Sequence, residues 1–188
     1  TGHVPRVSGT ILATILLAAS VLTTALPISA ATVDRERALA ALAMRDDVEA
    51  RRQGAETLGE FGVMADVPAL AAALRDPDAE VRALAERSLW LVWSRSGDPA
   101  VDRRFLQGVE QMQRQELDDA IETFTEIIAR KPEFAEGWNK RATAYYLAGE
   151  LDRSLADCDE VMKRNPAHFG ALSGYGMIYL QLGRPDRA

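Results

Sequence analysis

Chemistry-bearing residues are scarce in this chain: one cysteine, Cys158, and two histidines, His3 and His168, in 188 residues. A lone cysteine excludes an intrachain disulfide and any cysteine-based metal cluster. With His3 inside the leading segment, no two-histidine metal site forms in the remainder. Aromatics make up only 6%, and Pro and Gly fall singly between Ala/Leu-rich runs, a composition that suits helices and leaves little material for strands. The chain also lacks a cationic excess. Its formal charge is −6, which argues against nucleic acid as a partner, because phosphate binding needs a basic face. No G-x-S-x-G elbow, phosphate-cradling glycine loop or dinucleotide fingerprint is present. The acidic pairs Asp46-Asp47, Asp118-Asp119 and Asp157/Asp159 lack the Gly and Glu spacing of a calcium loop. No catalytic residue, cofactor or metal is therefore expected, and the chain is not expected to be an enzyme.

What is present begins with an address. Arg6 and His3 precede a stretch from Thr10 to Leu26 without a charged side chain, and Pro27 breaks it. Ile28-Ser29-Ala30, or Ser29-Ala30-Ala31 one step along, then places small residues where signal peptidase reads. Residues 1–31 are expected to be a secretory signal peptide, which implies a periplasmic or secreted protein. The alternative is an uncleaved anchor over residues 9–28, long enough to span a bilayer, and only in that case is a membrane a partner.

Self-comparison exposes two periods. In the C-terminal half Gly108, Ala142 and Gly176 recur every 34 residues, as do Pro132 and Pro166, Leu117 and Leu151, Asp118, Asp152 and Asp186, Phe124 and Cys158, and Tyr145 and Tyr179. Each column has a mechanical reading. Small residues let two helices approach, an aromatic fills the gap between them, Pro ends the second helix, and Gly149 and Gly183 turn the chain inside the pair. With these columns in register, residues 101–188 resemble the tetratricopeptide repeat family. Trp138, Ala142, Tyr145 and Pro166 reproduce its Trp, small, Tyr and Pro positions, while Arg141 replaces the usual Leu and Ser154 the usual Ala. The first copy departs furthest, with Arg104 and Gln111 at aromatic positions, and the third copy reaches only the start of its second helix, so the natural protein is expected to continue.

Upstream the offset is 31, pairing Ala50-Arg51 with Val81-Arg82, Gly54 with Ala85 and Leu58 with Leu89. The stretch from Val67 through Leu74 and Asp76-Pro77-Asp78 to Arg82 looks like a short HEAT-type repeat, in a block expected over about residues 38–96. Asp-Pro breaks one helix and Asp78 caps the next. Arg51 and Arg82 are expected to serve the loops of the stack. Residues 97–100 read as the boundary turn, giving a HEAT-like unit at 32–96 and a tetratricopeptide array at 101–188. Trp90 and Trp93, just before that boundary, are expected to plug the junction of the two stacks. His168 is expected to cap a helix or to pack.

The fold class is thus an all-α helical-repeat solenoid. The family resemblance implies that the first helix of each pair lines a concave groove, made here by Phe105, Val109, Met112, Asn139, Thr143, Tyr146, Ser173, Met177 and Leu180. Such a surface suits a peptide or helix of a protein partner. The function expected is a non-enzymatic interaction scaffold or assembly factor acting outside the cytoplasm; the alternative is a substrate-binding accessory subunit of an envelope enzyme complex.

Overall fold

The computed structural model describes residues 30–187. The expected signal peptide and anchor, apart from the small-residue end at Ala30 and Ala31, lie outside the described residues. Among those described there is helix and no strand, as the composition requires. The helices are α1 (Ala30–Leu42), α2 (Val48–Phe61), α3 (Val67–Ala73), α4 (Ala79–Trp93), α5 (Pro99–Gln113), α6 (Leu117–Arg130), α7 (Ala135–Leu147), α8 (Leu151–Arg164) and α9 (Phe169–Gln181). Single 3-10 turns occupy Met64–Asp66 and Pro185–Arg187. None is long and apolar enough to cross a membrane. The helices pack in succession, α1 on α2, α2 and α3 on α4, then α5 on α6 and so on to α9, which is the packing of an α-solenoid.

Local chemistry sets the helix starts. Asp47, Asp78 and Asp98 each turn a carboxylate back onto the first-turn N–H groups of α2, α4 and α5, accepting from Ala50, from Glu80 and Val81, and from Ala100 and Val101. Each such cap contributes about 1 kcal/mol. Because Asp98 is the cap, α5 begins at Pro99, and only Gly97 and Asp98 of the boundary turn lie outside the helix. Pro at the first helical position loses no hydrogen bond there.

The N-terminal helices enclose a core of Leu58, Leu70, Val81, Leu89 and Val92. At its tightest point Gly54 of α2 meets α1, where an added Cβ would come within 2.6 Å of the Ala38 carbonyl oxygen and the Leu42 nitrogen. The repeated arginines do equivalent work. Arg51 donates to the Met44 and Arg45 carbonyls and Arg82 to those of Asp76 and Pro77, each satisfying the loop before its own helix. Arg51 also grips the Asp76 carboxylate through two nitrogens, at 2.8 and 3.2 Å.

In the C-terminal half the helix pairs turn by one device. The N–H of Glu116, Glu150 and Arg184 reaches back to the carbonyl of Gln111, Tyr145 and Tyr179, and the residue before each adopts a left-handed conformation. Those residues are Gln115, Gly149 and Gly183. The small column also behaves as its chemistry demands: a Cβ at Gly108 would lie 2.7 Å from the Phe124 ring, and the Ser154 hydroxyl donates to the Ala142 carbonyl across the next pair.

Candidate functional site

The residues expected to line a groove fall on α5, α7 and α9, the first helices of the C-terminal pairs, in three columns. The middle column is half-buried Val109, then Thr143 and Met177, both exposed. The last column opens progressively, from half-buried Met112 and Tyr146 to Leu180, which is 62% exposed. The first column corrects the expectation. Phe105 is only 4% exposed, packed edge-on against Phe124 and Phe134, and Asn139 is 7% exposed. Neither offers a surface; Ser173 alone of that column is exposed. Leu106 on α5 and Leu147 on α7, absent from the expected set, are also exposed. The repeat period does not mark them, because the residues one repeat along, Lys140 and Gln181, are polar.

Asn139 is buried together with the polar groups around it. Its amide donates to both oxygens of the Glu136 carboxylate, at 3.1 and 3.2 Å. Lys140 stands 3.3 Å from the same carboxylate. His168 accepts from the Ala171 N–H at Nδ1, which caps α9 and leaves Nε2 to donate to Glu136 at 2.8 Å. The side chains of Glu136 and His168 are both fully buried. A buried carboxylate is tolerable only when so satisfied.

Two tryptophans complete this closure. Trp93 stacks on His168 with ring centroids 4.3 Å apart, and Trp90 packs edge-on against His168 and Phe169. Lys140 lies 5.7 Å from the centroid of the Trp90 ring. An added Cβ at Gly170 would approach Trp90 to 2.5 Å, so glycine there admits the ring. The end of α4 thus covers the first turns of α7 and α9. Of the residues expected to line a groove, Val109, Met112, Thr143, Tyr146, Ser173, Met177 and Leu180 are exposed or half-buried.

Another face of α7 is charged. Arg141 holds Asp157 through two nitrogens, both at 2.8 Å, with Trp138 and Tyr145 flanking its guanidinium at 5.1 and 5.7 Å. Arg164 caps Trp138 from outside and Arg153 caps Tyr145, at 4.5 and 4.3 Å. Burial pushes the Cys158 thiol up to about 11, aided by the nearby Asp157 and Asp159, so it is a core hydrophobe here and a poor nucleophile. Among the described residues no group of three His, Cys, Asp or Glu side chains could hold a metal ion.

Residues 105–164 match the family model described as tetratricopeptide repeat. A TPR repeat-containing protein of Rhizobium etli is 33% identical over 109 residues, covering 58% of this chain and 52% of that protein. The chain therefore spans about half the length of the relative it matches. No solved structure matches it.

Proposed function

We propose, from the premise that α5 to α8 are tetratricopeptide repeats, that the chain is an interaction scaffold or assembly factor that holds a peptide or helix of a protein partner on the open concave face. The observation that carries this reading is the run of exposed and half-exposed side chains from Val109 to Leu180, apolar at Met112, Met177 and Leu180 and polar at Thr143 and Ser173. Apolar anchors with interspersed hydroxyls suit an amphipathic partner whose apolar side chains leave water on docking. We read α1 to α4 as HEAT-like pairs that brace the array, and residues 1–31 as an export signal that places it outside the cytoplasm.

Met177→Glu tests the binding face, since Met177 is exposed and its replacement costs the fold little. Proteins that co-purify with the wild-type chain from envelope extracts are expected to be lost from the variant, with the thermal midpoint unchanged. Retention of every partner would overturn the groove assignment. A partner that is an enzyme, with turnover raised by the chain, would instead favour the accessory-subunit reading. Export is tested by fractionating cells that express the chain with and without residues 1–31; equal distribution would refute it.

A further inference from the structure

Where α4 meets the turns before α7 and α9 there is a cavity of about 120 Å³, lined by Met64, Trp93, Arg95, Phe134, Lys131 and Asn165 among others. None of its lining residues is among those proposed to hold the partner. Two of its lining residues carry buried hydrogen-bond donors without a protein partner: the indole Nε1 of Trp93 and the amide Nδ2 of Asn165. These side chains belong to residues 3% and 4% exposed, and unpaired buried donors are costly to leave unsatisfied. Their neighbours are committed. The Asn165 side-chain oxygen Oδ1 accepts from the Ala167 N–H, and the Trp93 ring is fixed by its stack on His168.

The wall around these donors is cationic. Arg95 donates to the Gly59, Glu60 and Gly62 carbonyls at the end of α2, and Asp102, held by Ser96, is the carboxylate that acts on it. Lys131 is 3.3 Å from Glu133, and Arg164 is held by Glu160 and by the Pro132 carbonyl. Of the charged residues that line the cavity three are cations, Arg95, Lys131 and Arg164, and one is a carboxylate, Glu133, while Met64, Phe134 and the Trp93 ring supply apolar surface. Two unpaired N–H donors on lining residues, an excess of cations in the lining and apolar flanks describe the receptor for a monoanion with acceptor oxygens on a short apolar stem.

We propose that this junction cavity binds a carboxylate, either a free short-chain acid or the carboxyl group of a peptide, with Trp93 and Asn165 donating to its oxygens and Lys131 and Arg95 neutralising its charge. The site is independent of the concave-face reading and stands or falls separately from it.

The test is a titration of the full chain followed by the Trp93 indole N–H resonance, which Trp93→Phe identifies by deletion. Sodium acetate and N-acetyl-leucine are the probes, with N-acetyl-leucinamide and sodium chloride as controls. A saturable downfield shift with both carboxylates and neither control is expected. N-acetyl-leucine binding about tenfold more tightly than acetate assigns a stem-bearing ligand such as a peptide end, and equal affinity assigns a free short-chain acid. Lys131→Gln, a partly exposed position, is expected to weaken binding by about tenfold with an unchanged melt. Met177→Glu is expected to leave the titration unchanged. No saturable shift, which would mean water alone satisfies the donors, or the same curve with chloride or the amide, would overturn the proposal.

Discussion

Three equivalent turns in the C-terminal half close through the same backbone hydrogen bonds, yet only two of them use glycine. Gln115 takes the left-handed conformation, φ 62°, that Gly149 and Gly183 adopt at φ 80° and 69°. A side chain there crowds its own carbonyl at a cost of roughly 1 kcal/mol. Gln115→Gly is therefore expected to stabilise the chain by about 0.5–1 kcal/mol, and Gly149→Ala to destabilise it by a similar amount. Urea midpoints check both. Arg141 shows the reverse case, a departure from the repeat pattern that the surroundings fully absorb. Its charge meets Asp157 and its flat faces meet Trp138 and Tyr145, so the position that is usually Leu becomes an ion pair at the same packing site.

Between helices, the N-terminal half is held by arginine–aspartate pairs that bridge one element to the loop of the next. Hydrogen bonding from Arg51 holds Asp76 below its ordinary value, Arg52 does the same for Asp78, and the Ala100 N–H does so for Asp98. For Asp66 burial pulls upward, but the Arg35 guanidinium and the Val63 N–H outweigh it. A carboxylate with a lowered native pKa contributes stability that is fully present above its unfolded value, about 4. That contribution is lost as the pH falls through the native values. Stability is thus expected to be flat from neutrality down to about pH 5 and to drop below about pH 4. Asp76→Asn should lower the neutral plateau and soften the acid fall, as urea unfolding across that range would show; an unchanged acid slope would mean that the pair is already broken in solution.

Across the whole molecule the two halves meet through side chains of α4 and the start of α9. His168 is central to this contact, since it caps α9, stacks on Trp93 and donates to the buried Glu136. Removing it leaves a buried carboxylate with fewer donors, a change that typically costs several kcal/mol. His168→Ala is expected to cost about 3 kcal/mol. Hydrogen exchange should show α9 and the end of α4 losing protection together, whereas loss confined to α9 would show that the junction does not couple the halves.

The features legible in the chain alone are those governed by short range and by period. Helix starts follow from Asp residues at caps, helix ends from Pro132 and Pro166, and the paired helices from the 34-residue recurrence of small and aromatic positions. Each depends only on the residues within a turn or a single pair. Which groove residues remain open was not legible, because Asn139 is buried through Glu136, His168 and the tryptophans of α4, with His168 and Glu136 lying 32 positions apart. Periodicity places Phe105, Asn139 and Ser173 in one column but is blind to what a second stack lays across it. Phe105 is buried by Phe124 and Phe134 of its own repeat, whereas the closure over Asn139, the junction cavity and its unpaired donors arise only when α4 reaches α9, and such packing is a property of the tertiary fold.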